Sequence, residues 1–327
     1  MSALAAGSDA RLATEMRTSG AASAGAEARD LRLPALRRFA FAITLLNVVG
    51  HFYLGFEQSY AQPLAAIATA YTLELLLEWI DSRARGRAPR YAGGPVSLAN
   101  FLLSAHISAV AVAMLTYAND RLLPVMFATS LAIGSKHVFR VATAPGRSVH
   151  VFNPSNFGIS ATLLALPSVG ISQPYMFTEN LGPVGDVVLP LIMVTAGSFL
   201  NVRLTKKVPL ILAWLSGFAI QALVRTAVLG TALRSELMPF TGLAFLLFTF
   251  YMITDPATTP SSTRGQIAFG LSVAGTYALI VACHFVFGIF FALSLVCAGR
   301  GILLYLKHHA AARALSHVPD LATAPPA

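Results

Sequence analysis

Long apolar runs separated by short polar breaks fill most of the chain. A membrane-crossing helix needs roughly 20 mostly apolar residues, and about ten runs approach that length. They cover Phe39 to Phe56, Pro63 to Ile80, Val96 to Tyr117, Leu122 to His137 and Asn156 to Val169. The rest are Val184 to Val202, Val208 to Leu229, Leu237 to Ile253, Gly265 to Ala282 and Phe285 to Leu306. The pattern predicts an all-α polytopic membrane protein of about ten helices, with both termini on one side. Residues 1–36 are rich in Ala, Gly, Ser and scattered charge, with no signal-like apolar run, and read as a disordered tail. Residues 37–306 form the transmembrane domain, and 307–327 a second polar tail.

Composition agrees with that reading. Of 327 residues, 56% are hydrophobic and 11% charged, and the mean hydropathy is +0.67, a balance that a core with a wetted surface hardly reaches. A net charge of +9 could suggest nucleic acid, but its placement excludes that partner. Arg37, Arg38, Arg83, Arg85, Arg87, Arg90, Lys136, Arg140, Arg147, Arg203, Lys206, Lys207, Arg264 and Lys307 fall in alternate connections. The intervening connections hold little beyond Arg121, Arg225 and Arg234. The positive-inside rule then puts the basic loops and both tails in the cytoplasm, in contact with lipid headgroups of the cell membrane.

Two breaks on that basic side carry more chemistry than a connector needs. GSKHVFRVATAPGRSVHVFNPSN offers Lys136, His137, Arg140, His150, Asn153 and Asn156, cations and amides suited to anionic or carbonyl-bearing ligands. YMITDPATTPSSTRGQ offers Asp255, Thr258, Thr259 and Arg264, stiffened by Pro256 and Pro260. The alternative is that Asp255 and the hydroxyls satisfy backbone at a helix end, with Ser262 or Thr263 as a cap. Glu74 and Glu78 lie four apart on one helical face. Glu78 can reach the interface and Arg83; Glu74, a turn deeper, is either a buried ion pair with a loop cation or a proton or ion site. His51, His106 and His284 read as hydrogen-bonded core histidines, and Cys283 and Cys297 as buried residues without a metal or disulfide role. No P-loop, Rossmann glycine pattern, HExxH or nucleophile elbow occurs.

The segments SKHVFR, HVFNPSNFG, VPLILAW and YMITDPATTPSSTRGQIAFG resemble, in order and spacing, the RnfD/NqrB family of ten-helix membrane redox subunits. The N-terminal half looks more like the UnbU branch, associated with enediyne biosynthesis. The resemblance implies flavin- or quinone-linked electron transfer with membrane or soluble redox partners, and a flavin contact at Asn153. His150 stands where that family has an asparagine. Family carriers attach FMN to a threonine in an S-G-A-T-like motif before the sixth helix; the connection here, ALPSVGISQPYMFTENLGPVGD, lacks it. The Ser160 to Thr162 tripeptide SAT lies inside a predicted helix and reads as chance. The expectation is therefore a noncovalent flavin (riboflavin or FMN) or quinone, with Lys136, Arg140 and Arg264 tuning it, and no covalent FMN. The competing expectation is a transporter or self-resistance protein of the same fold, with Glu74 as its coupling residue, since fold does not settle function.

Overall fold

A computed structural model describes residues 33–144, 147–172 and 180–316. The expectations for most of both tails, and for part of the connection before the sixth helix, lie outside these residues. Eleven helices run in order, beginning with α1 (Leu33–Leu54), α2 (Ala61–Ala84), α3 (Pro95–Leu115) and α4 (Leu122–Val138). α5 (Pro154–Ala165), α6 (Pro183–Leu200) and α7 (Val208–Leu229) follow, then the short α8 (Leu233–Leu237) and α9 (Leu243–Leu247). α10 (Thr263–Ala282) and α11 (Gly288–Ser316) complete the set.

The chain is an all-α polytopic membrane protein. Among the described residues seven helices are long and apolar enough to cross a membrane, and eight if the pair Leu233–Phe240 and Ala244–Met252, bent by 61°, counts as one broken span. The expectation of ten spans is met only in part, and the two shortest expected runs, Leu122 to His137 and Asn156 to Val169, give the short α4 and α5. α4 has 17 residues and α5 only 12, so at 1.5 Å per residue α5 covers about 18 Å of a roughly 30 Å hydrocarbon layer. α11 also continues past Leu306 to Ser316. Cys283 is exposed in the turn after α10, a correction to its expected burial, whereas Cys297 is buried.

The helix starts follow from their sequences. Pro95, Pro154 and Pro183 stand at the first position of α3, α5 and α6, where a missing N–H costs nothing and the fixed φ fits. Asn153 caps α5, its Oδ1 accepting from the Asn156 N–H at 3.1 Å, and Ser262 caps α10, its Oγ accepting from the Gly265 N–H at 3.2 Å. Gly230, at φ 68°, closes α7 in the left-handed conformation.

Helix packing uses small residues. Apolar side chains gain nothing from leaving lipid for one another, so close backbone approach supplies the attraction. A Cβ on Gly158 would overlap the Ala128 carbonyl of α4, and one on Gly270 would lie 2.7 Å from the Leu210 carbonyl and 2.9 Å from the Trp214 nitrogen of α7. These contacts join α4 to α5 and α7 to its parallel neighbour α10. Large apolar residues such as Leu64, Leu123, Val187, Leu212, Leu279 and Leu303 stay exposed, as lipid-facing positions do.

Two small ladders close the ends. On one side β1 (Thr116–Tyr117) pairs with β4 (Gly170–Ile171), and the Gln58 and Gln62 amides donate to the Met114, Ala113 and Thr116 carbonyls left over at the end of α3. On the other side the stretch after α4, expected to be a loop, folds into an antiparallel hairpin of β2 (Arg140–Ala144) and β3 (Arg147–His150). There the basic ends come together: Lys207 Nζ donates to the Pro260 carbonyl at 2.7 Å, and Gln266 Nε2 to the Lys206 carbonyl at 3.2 Å.

Candidate functional site

The two polar breaks meet. His150, the last residue of β3, brings Nε2 to 3.5 Å from Asp255 Oδ2. Asn153, three residues on, donates from Nδ2 to the Met252 carbonyl at 3.1 Å, so the hairpin and the segment after α9 are tied twice. The foot of the hairpin rests on α11, where Gly301 admits the Val151 side chain.

Local chemistry accounts for the shape of the Asp255 turn. Asp255 Oδ1 accepts the Ala257 N–H at 3.1 Å, and its carbonyl accepts the Thr258 and Thr259 N–H groups and the Thr259 hydroxyl. The hydroxyls of Thr258 and Thr259 are thus turned inward on the aspartate's own turn and are buried. Burial pushes the Asp255 carboxyl up, but the His150 contact, the Ala257 N–H and the Thr258 hydroxyl outweigh it and hold the group below the usual carboxylate value. His150 and Asp255 remain partly open, with 15% and 19% of their side chains exposed.

Two cations that sequence reasoning left out of the site stand beside this pair. Lys207 is buried, and burial pushes its ammonium down to about 8, against the pull of the Asp255 charge and with the push of Arg300. Arg300 reaches the same field from α11. The sequence signal for Lys207 was present but was absorbed into the topology rule; Arg300, the one charged residue between Gly288 and Leu306, carried the better clue.

The other expected site residues separate from this pair. Lys136 donates from Nζ to both Glu74 oxygens at 3.0 Å, a buried ion pair between α4 and α2, with His137 Nε2 at 3.6 Å from Glu74 Oε2. Of the two readings open for Glu74, the ion pair is the one the geometry displays. Arg140 faces His150 across the ladder but spends its guanidinium on the Lys136 carbonyl and on Ser148. Arg264 lies exposed on the first turn of α10. Asn153 is buried with both amide ends engaged, Oδ1 on the cap and the Ser155 hydroxyl. Asn156 donates from Nδ2 to the Phe290 carbonyl and to Ser294 of α11. These asparagines join segments rather than face an open site.

Glu78 departs from its expected partner. Its fully buried carboxylate accepts from Arg87 and Arg90, each at 2.6 Å, while Arg83 lies over the Trp79 ring, 5.7 Å from its centre. His106 is held between the Thr44 and Tyr71 hydroxyls at 2.7 and 3.0 Å, as expected of a core histidine, whereas His284 is exposed in the turn after α10, a correction to the same expectation. Among the described residues no cluster of three or more His, Cys, Asp or Glu side chains is arranged to hold a metal.

No protein-family model matches the chain, and comparison with curated proteins finds no match.

Proposed function

We propose that this protein is a membrane electron-transfer subunit, with a noncovalent flavin or a quinone held on the cytoplasmic side where the β2–β3 hairpin meets the Asp255 turn. The observation that carries the reading is the 3.5 Å approach of His150 to Asp255, which joins breaks about a hundred residues apart in a pair that stays partly open. A flavin or quinone, when bound, supplies an electron carrier whose ring atoms take up protons as they are reduced. The chain's own part is to hold a proton at His150, to orient that imidazole through Asp255, and to offset negative charge with Lys207 and Arg300. The donor set fits a noncovalent ring, since an imidazole and two nearby cations can offset charge on it while the buried asparagines are engaged within the protein. It does not fit attachment at Thr162, which is fully buried within α5. A role in enediyne biosynthesis rests on the resemblance alone.

A second reading, an exporter of the same fold, is favoured by the buried Glu74–Lys136 pair with His137 beside it, because ionisable groups inside membrane helices commonly mark ion or proton paths. The visible absorption of detergent-purified protein, before and after acid precipitation, tests the first reading. Flavin or quinone that is released by acid, and is lost in His150→Ala and Asp255→Ala variants of normal fold, supports it. A folded protein that yields neither overturns it, and vesicle uptake that depends on Glu74 then supports export.

A further inference from the structure

On the far side of the molecule from the hairpin, α7 turns one continuous face toward the broken α8–α9 span and α10. Trp214, Phe218, Gln221 and Arg225 follow one another at spacings of four, three and four, which keeps them on that face. The first two close an aromatic wall, with Phe218 at 4.8 Å from Phe240, 4.9 Å from Phe245 and 5.4 Å from Tyr277 between ring centres. The next two are polar. Gln221 is only 7% exposed, yet both Nε2 and Oε1 lack a hydrogen-bond partner among the described residues. The same is true of Arg225 Nε and of the hydroxyls of Thr226 and Thr231, although Arg225 holds Glu236 through Nη1 at 2.5 Å.

We propose that this end of α7, α8 and α10 is a binding site for an uncharged, carbonyl-bearing, lipid-soluble ligand, gripped by Gln221 and Arg225. Enclosing an amide without partners is costly, and a ligand carbonyl that meets its N–H groups relieves part of that cost. Depth points the same way. Gln221 lies eight residues from the end of α7, about 12 Å at 1.5 Å per residue, inside the hydrocarbon layer. At such depth a broken helix, here bent by 61°, is tolerated where it is covered by protein or lines a cavity. The Arg225–Glu236 pair cancels its own charge, which selects a neutral ligand. Its open Nε–H and the Gln221 amide N–H groups are donors, which select carbonyl oxygens. The neighbouring surface of Val224 and Val228 is exposed and apolar, so the way in is from the bilayer.

The inference stands apart from the hairpin site and survives its failure. Menadione, a compact neutral dicarbonyl that quenches indole fluorescence, is the probe. The chain has two tryptophans, and Trp79→Phe leaves Trp214, on the same helical face, as the reporter. In that background menadione should quench saturably, and Gln221→Leu should weaken the apparent Kd about tenfold or more. Quenching that rises linearly, or that saturates equally in Gln221→Leu, overturns the proposal. Losing an unpartnered amide should not harm the fold, and Gln221→Met serves as the closer match in shape. If both variants fail to fold, Gln221 is serving the protein itself and the proposal also fails.

Discussion

Glu74 and Glu78 stand one turn apart on α2 and look alike in the sequence, yet they are neutralised in opposite ways. Glu78 is closed locally, by Arg87 and Arg90 and by the Arg90 N–H at 2.8 Å, so the chain just beyond α2 folds back over its own helix. Glu74 is closed from a distance, by Lys136, which arrives 62 residues later on α4. The first pairing needs only the end of α2 and the turn after it. The second exists only when α2 and α4 have packed, and so records a tertiary event.

The largest test of this contrast is Lys136→Met. It leaves Glu74 buried without its cation and should cost about 3–5 kcal/mol, read as a fall in Tm, whereas Glu74→Leu with Lys136→Met should be near neutral. Equal losses in the single and double variants would show that the distant pair is not a buried unit. Glu78→Gln should cost less, about 1–3 kcal/mol, because Arg87 and Arg90 are partly exposed and take up water. Its signature should be faster tryptic cleavage in the turn after α2 with a smaller fall in Tm than Lys136→Met.

The Asp255 turn belongs with the distant closures, and pH sharpens the point. The Asp255 carboxyl is held low, so its stabilisation is present above the ordinary carboxylate value and is lost as pH falls through the lowered one. Asp255→Asn should flatten that acid limb of the stability profile. Lys207 behaves in the opposite sense: pushed down to about 8, it opposes folding while protonated, so its contribution improves as pH rises above that value. Binding of an anion at the hairpin should weaken across the same interval, and Lys207→Met should remove both effects. The smallest expected change is purely local: Ser262→Ala removes the α10 cap and should cost about 0.5–2 kcal/mol by thermal unfolding.

Hydrophobic run length made the long helices legible, because each must present apolar side chains to lipid on some face, but it read the broken α8–α9 stretch as one segment from Leu237 to Ile253. It also marked α4 and α5 as short, since Leu122 to His137 and Asn156 to Val169 are the two shortest runs. The hairpin was missed although its signals were present: VATA and RSVH flank a Pro-Gly pair, a turn signature outweighed by the loop's charge. The site was half legible. His150 and Asp255 were marked by type and place, and their junction follows from the fold. The role of Asn153 was not legible, because only the packed structure shows its amide tied to Met252. Lys207 was hidden for the same reason: one lysine of a basic pair looks like another until burial separates them.

The short α5 carries a consequence for how the chain is made. Its polar side chains Asn156 and Ser160 find their partners at Phe290 and Ser294 of α11, some 130 to 138 residues downstream. During synthesis α5 therefore enters the membrane too short to span it and with amide and hydroxyl groups unmet, and it stays so until α11 has been made. The last helix acts as the latch of biogenesis. Chains interrupted before α11 leave Asn156 and Ser160 of α5 without those partners.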